Sequence, residues 1–306
     1  MKNIPNLPQA DSLQRFLFEH EPIRGELVHL DASWRSVLER HDYPEVLRNI
    51  MGELSAAAAL LAATLKLQGS LVLQIMGKGA VKLLVVECSG DMKLRATAKW
   101  SGDLSQQNFA ELIGEGRFVI TLDPKNGGQP YQGIVAIEGT SVAEIMQNYM
   151  SNSEQLETRL WLAADGQHAA GMLLQKLPNS VNQNLGNQAE PDDTDAWRRA
   201  VILGDTLKNE ELLLLSAKTL IQRLYHEDDI RLFDAQKVEF HCSCSRENVA
   251  TMLQMLGREE IAGILAEREF IEVHCEFCNQ RYEFDKIDAE LMFVDAIVLP
   301  ASEARH

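Results

Sequence analysis

Cys242-Ser-Cys-Ser-Arg246 and Val273-His-Cys-Glu-Phe-Cys278 decide how the C-terminal part of this 306-residue chain folds. Four of the five cysteines fall in these two stretches, about thirty residues apart. Two close thiol pairs in one small segment can surround a single metal ion with four sulfurs, those of Cys242, Cys244, Cys275 and Cys278. Four thiolates complete the tetrahedral shell of Zn²⁺ and leave no open position for a substrate water. A segment of roughly sixty residues buries little surface by itself, and metal ligation is a common remedy. Structural zinc in such modules supplies on the order of 10–16 kcal/mol of folding free energy near neutral pH, so losing the metal unfolds the segment.

The same thiols can be oxidised in pairs, and a disulfide cannot hold zinc. Cys-x-Cys leaves little slack for two ligands on one metal and brings its sulfurs close enough to close a small, strained ring. Strained disulfides have higher reduction potentials and tend to be labile or regulatory, and thiolates are the form that oxidants attack. Spacing alone therefore leaves three readings open: a structural zinc module, a redox switch, and a thioredoxin-like enzyme. The last lacks the expected βαβ context around its Cys-x-x-Cys. His241 and His274 each precede a cysteine pair, but four sulfurs already fill the shell, so both are read as strand surface residues.

Around the cysteines the pattern predicts strands over Val238–His241, Glu269–His274 and Tyr282–Phe284. It predicts helices from Ser245 as cap to Leu256, ended by Gly257, then over Glu259–Glu267 and Asp285–Val294. Further upstream, residues 11–30 read as a strand ending near Leu30, with Asp31 or Ser33 capping the helix that follows. Helices are expected over Trp34–Arg40 and Pro44–Leu67, the second containing the strong helix-forming run Ala56–Ala63. Strands follow over Ser70–Met76, Val81–Cys88, Lys93–Trp100, Phe118–Leu122, Tyr131–Glu138, Leu156–Ala164 and Ala169–Leu177. A helix over Val142–Met150 is capped by Thr140 or Ser141, with Glu144 at capping-box spacing from Ser141. Strands and helices do not alternate strictly, which favours an antiparallel-rich α+β domain over a doubly wound one. Composition shifts at Pro178, and the polar stretch Asn179–Asp193 reads as a linker. Helical patterns resume over Asp195–Thr206 and Glu210–Tyr225. The chain thus divides into an N-terminal α+β core domain over 1–178, a linker and helical middle region over 179–235, and a small zinc-binding domain over 236–306.

The formal net charge of −16 argues against binding nucleic-acid phosphates, which rests on Lys and Arg. The apolar run Ala56–Ala63 is far short of the roughly twenty residues of a membrane span. Met1-Lys-Asn-Ile-Pro5 carries no secretory pattern, so the cytoplasm is the expected compartment. Cys88, within the apolar strand Leu83–Cys88, reads as an inert buried thiol. Gly77-Lys-Gly79 and Asn126-Gly-Gly128 read as turns rather than phosphate loops. No motif supplies a nucleophile or an acid–base pair, so no catalytic residue is assigned and the chain is not read as an enzyme.

The two cysteine stretches at this separation closely resemble the redox-regulated heat-shock protein of 33 kDa, the 33 kDa chaperonin family. The resemblance extends to Leu224-Tyr-His-Glu-Asp-Asp-Ile-Arg-Leu-Phe233 before the first pair and Tyr282-Glu-Phe284 after the second. It also takes in Tyr131-Gln-Gly-Ile134, Ser153-Glu-Gln-Leu156 and Ala169-Ala-Gly-Met-Leu-Leu-Gln175 with Pro178. Met172 departs from it, standing where many relatives carry a second glycine, which puts local packing in doubt. The resemblance implies a chaperone that is inactive when reduced, with one Zn²⁺ on Cys242, Cys244, Cys275 and Cys278. Oxidation would form Cys242–Cys244 and Cys275–Cys278 disulfides, release zinc, unfold the C-terminal segment and disorder the linker region. The activated protein would dimerise and bind unfolded or partly folded clients without ATP. Neither nucleic acid nor a membrane is an expected partner. Val201–Leu220 is expected to hold much of the switchable apolar surface.

Overall fold

The structure, a computed structural model, describes residues 11–65, 68–104, 108–125, 127–178 and 193–294. The expected linker lies outside these residues except for Asp193. The chain divides into two compact units, Met1–His241 and Cys242–His306.

The first unit begins with a hairpin, β1 (Ser12–Phe18) and β2 (Ile23–Leu30), where a single strand was expected. Helices α1 (Ala32–Leu38) and α2 (Glu45–Leu65) lead into the meander β3 (Gly69–Gly77), β4 (Val81–Ser89) and β5 (Lys93–Trp100). A short helix that the sequence reading missed, α3 (Phe109–Ile113), precedes β6 (Gly116–Pro124) and β7 (Tyr131–Ala136). Then come α4 (Val142–Asn152), β8 (Thr158–Ala164) and β9 (Ala169–Lys176). Helices α5 (Asp193–Gly204), α6 (Asn209–Leu214) and α7 (Ala217–Leu224) follow, and three short strands close the unit: β10 (Ile230–Leu232), β11 (Gln236–Lys237) and β12 (Glu239–Phe240). One sheet runs β10-β1-β2-β9-β8, with β11 also on β1; the other runs β12-β5-β4-β3-β6-β7. Every pairing is antiparallel except β12 with β5, so the unit is the expected antiparallel-rich α+β fold.

Helix α2 explains how the two sheets stack. It packs on β2, β8 and β9 of the first sheet and on β3, β4 and β5 of the second. Every residue from Leu54 to Thr64 is buried, as an all-round apolar helix requires. The alanines of Ala56–Ala63 let strands approach from both sides. By length and composition α2 could cross a membrane, contrary to the estimate from its longest apolar run, but 72% of the relevant stretch is buried inside the protein.

The first sheet is apolar on both faces. Successive side chains of a strand point to opposite faces. On β2, Val28 and Leu30 join the core around α2, while Ile23 and Leu27 join a second core. There Phe16, Phe18, Ala170, Met172 and Leu174 meet Ala200, Leu212, Leu213, Leu220, Ile221, Leu224 and Tyr225 of the helical segment. Met172 is fully buried at the centre of this face, opposite Leu27 and Trp161, so the departure from the resemblance is accommodated by packing. Gly25 leaves room for the Phe16 ring across the hairpin, since a Cβ there would lie 2.0 Å from Phe16 Cζ.

Local capping accounts for the other departures. The expected caps of α1 do not act. The Asp11 carboxylate instead accepts from the backbone N–H groups of Asp31, Ala32 and Ser33 at 2.8–3.0 Å. At α4, Ser141 is the cap and accepts from Glu144 N–H, while Glu144 reaches back to Thr140 N–H. The helix expected over Glu210–Tyr225 is broken. Leu215 is extended and Ser216 starts α7, its hydroxyl accepting from Thr219 N–H. Cys88 is buried, and desolvation pushes its thiol up to about 12, which makes it inert as expected.

Glu26 faces α2 and accepts a 3.1 Å hydrogen bond from the Thr64 hydroxyl. Desolvation raises its pKa from 4.5 to about 7, partly opposed by Thr64, Arg24 and Arg15, a cost of about 3 kcal/mol once the group is ionised. Because the folded state holds this proton more tightly than the unfolded state, stability is full below pH 4.5 and falls as pH rises toward 7. Glu26→Gln is therefore expected to melt above the parent at pH 8, with the difference closing by pH 5. Thermal unfolding across that range tests this.

Candidate metal centre

The second unit has a small core of Leu253, Ile261, Leu265, Ile271, Phe284, Ala289 and Met292. These come from α8 (Arg246–Gln254), α9 (Arg258–Glu267), the hairpin β13 (Ile271–His274) and β14 (Arg281–Phe284), and α10 (Lys286–Val294). Ser245 caps α8 as the sequence predicts, accepting from Asn248 N–H at 3.1 Å. Helix α8 ends at Gln254 rather than Leu256, and Gly257 supplies the turn at φ +91°. At the start of α10, Asp288 N–H donates to Asp285 and Asp285 N–H donates to Asp288, a reciprocal cap.

Two loops carry the cysteines. Cys275–Cys278 lies in the tip of the β13–β14 hairpin. Cys275 N–H donates to Gln280 O, and Asn279 N–H returns to Cys275 O at 2.8 Å, with Asn279 at φ +57°. Cys242–Cys244 leads into α8, and the Asn248 side-chain amide donates to Ser243 O at 3.1 Å. Arg246 clasps the two loops' supports. It pairs with Asp288 at 2.7 Å and lies 4.3 Å from the centre of the Phe284 ring.

These supports bring the four sulfurs of Cys242, Cys244, Cys275 and Cys278 within 4.8 Å of one another. Cys242 Sγ is 3.7 Å from Cys275 Sγ, and Cys244 Sγ is 3.3 Å from Cys278 Sγ. Four sulfurs at about 2.3 Å from one zinc ion stand roughly 3.8 Å apart, so the cluster has the size of a tetrahedral thiolate shell. None of the four cysteines is in a disulfide, and all are half-buried. Burial, together with its sulfur neighbours, pushes the Cys278 thiol well above its ordinary pKa. Four adjacent thiolates are unfavourable without a cation, and a bound dication reverses that balance. The donor set therefore fits a metal ion.

His274 is outside the cluster. Its ring contacts Glu272 at 2.7 Å and Asn279 at 3.2 Å on the exposed hairpin face. His241 donates its backbone N–H to Leu94 O, continuing the pairing of β12 with β5. One contact was not read from sequence. The Tyr282 hydroxyl donates to Cys244 Sγ at 3.1 Å, a hydrogen bond suited to orienting a ligand sulfur. In the sequence Tyr282 shows only as a strand residue shortly after Cys278, and the hairpin register that sets it opposite Val273 brings it to the cluster.

Fold and site together define an α+β protein with a module of four gathered cysteines that could hold a metal ion. Residues 11–285 match the family described as Hsp33 protein, and the chain belongs to that family. It is 56% identical to a 33 kDa chaperonin of Methylobacillus flagellatus, over 97% of this chain and 99% of the relative. It is 49% identical to one of Chromobacterium violaceum, over 98% of this chain and 100% of the relative. The crystal structure of a 33 kDa chaperonin (heat shock protein 33 homolog) from Thermotoga maritima superposes with a TM-score of 0.77 at 19% identity, covering 94% of this chain and 99% of that one. The chain is thus a chaperone of the Hsp33 family, a class that works without catalysing a reaction.

Replacing one donor should remove the site. Cys275→Ser is expected to lower bound zinc from one per chain to well below that and to abolish cooperative melting of residues 242–294. Cys88→Ala should leave zinc content unchanged, because that thiol belongs to the first unit's core. Zinc stoichiometry and backbone amide spectra check both.

Proposed function

We propose that this chain is a redox-regulated, ATP-independent holdase that protects unfolding proteins from aggregation under oxidative stress. The observation that carries this is the gathering of four cysteine sulfurs within 4.8 Å of one another in a unit whose own core is small. One Zn²⁺, when bound by Cys242, Cys244, Cys275 and Cys278, would offset half of the four thiolates' charge and tie the two loops together. The bound form is the inactive one.

Peroxide or hypochlorous acid would then oxidise Cys242 with Cys244, and Cys275 with Cys278. Each disulfide forms with the loss of two electrons, which with protons reduce one hydrogen peroxide to two waters or one hypochlorous acid to chloride and water. Sulfurs so paired are no longer thiolate donors, and zinc is released. A contribution on the order of 10–16 kcal/mol is about as much as a whole domain's stability, so the unit unfolds. In this reading the chain works as three parts: core 1–178, linker and helical middle 179–235, and redox switch 236–306. Loss of order in the middle part would uncover the apolar sheet face bearing Phe16, Phe18, Met172 and Leu174, together with the helices' own apolar side chains. These surfaces would bind unfolded or partly folded clients. Activated protein would form a homodimer, reduction would restore the inactive form, and the site of action would be the cytoplasm. The net charge of −16 supports a soluble binder with neither nucleic acid nor membrane as partner.

The test compares zinc-loaded reduced protein with peroxide-treated protein for suppression of aggregation of a chemically unfolded client, without ATP. Strong suppression only after oxidation, reversed by reductant, is the expected result. Equal behaviour in both states would reduce the cysteines to a structural zinc site. Turnover of disulfide substrates by metal-free protein would instead mark a thiol oxidoreductase.

A further inference from the structure

His29 is a buried polar side chain on a largely apolar face. It lies on β2 on the same side as Ile23 and Leu27 and is only 5% exposed beneath the helical segment. Its Nε2 is 2.9 Å from the carbonyl oxygen of Leu212 in α6. A carbonyl can only accept, so Nε2 carries the proton. Desolvation holds the ring's pKa down at about 4, and the ring is neutral with a single N–H to give.

Leu212 needs this donor because of how α6 ends. The last carbonyls of a helix have no partner from the following turn. Here the extended Leu215 carries the chain away before Ser216 can close the ladder, and Ser216 begins α7 instead. The break that interrupts the expected single helix thus leaves a buried carbonyl facing the sheet, and His29 satisfies it. Among the described residues, Arg159 and Trp161 also tie strand β8 to Asp205 of the helical segment, and these bonds are exposed. Water can replace those at little cost. Arg199 of α5 also pairs with Glu21 in the β1–β2 turn at 2.8 Å, but that tie holds α5 rather than α6. The apolar contacts of the segment are non-directional.

We infer that His29 is a positioning residue that latches α6 to the first sheet, and that its hydrogen bond sets how readily the helical segment leaves the sheet's apolar face. This rests on the holdase reading only for its consequence, since the latch itself concerns local opening. His29→Leu fills the space under the helix with an apolar side chain but strands the Leu212 carbonyl. His29→Gln can present an N–H at similar reach and should restore the bond.

The measurement is amide hydrogen exchange on the full-length, zinc-loaded, reduced protein, with aggregation suppression assayed on the same samples. His29→Leu is expected to speed exchange about tenfold or more across 209–224, the size expected for stranding one buried carbonyl. Exchange in α2 should be unchanged, aggregation suppression should appear without oxidant, and His29→Gln should behave as the parent. Unchanged protection across 209–224, or equal loss there and in α2, would overturn the latch. So would a His29→Gln protein as open as His29→Leu. Faster exchange across 209–224 without aggregation suppression would support the latch while overturning the reading of this surface as a client site.

Discussion

A sheet that is apolar on both faces cannot stand at the surface of a protein. Seven of the eight residues of β2 are buried, and its side chains feed two separate cores. One face is sealed by α2, which is itself covered on its far side by the second sheet. The other face must also be covered, and the cover is the helical segment α5–α7. The first unit is therefore layered as helices, sheet, helix and sheet, with the outermost layer contributed by a segment that follows β9 in the chain.

The two covers differ in kind. Helix α2 is continuous over twenty-one residues and is gripped by two sheets. The outer cover is three short helices, the longest of twelve residues, gripped from one side. Helices of this length have little stability of their own and depend on the face they pack against. β10 returns to pair with β1 directly after α7, so the outer cover is anchored into the sheet at its C-terminal end. The cover most easily lost is thus the one that hides Phe16 and Phe18, against which its own Tyr225 packs.

The cysteine cluster was legible because ligand chemistry fixes both residue type and spacing. The antiparallel-rich α+β character was legible from strands separated by turn residues, and the cap of α8 from Ser245. What escaped the reading depended on partners distant in sequence. Asp11 caps α1 from across the hairpin, where local spacing had suggested Asp31 or Ser33. The strands β10 and β11 are short, and only pairing with β1 makes them strands. The break at Ser216 had a local signal, a serine able to cap, but the unbroken apolar run Leu212–Leu215 masked it. Tyr282 was visible as a strand residue, while its bond to Cys244 needs the folded hairpin.

The position of α2 in the chain has a consequence for synthesis. The helix is complete at Leu65, but two of the strands that cover it, β8 and β9, span Thr158–Lys176. At about 5–20 residues per second, the ribosome needs roughly 5–20 s to deliver the intervening stretch. Through that interval an alanine- and leucine-rich helix, apolar on every side, waits for the strands that will enclose it. A protein built to shelter the apolar surfaces of others thus passes through an early stage in which its own needs shelter.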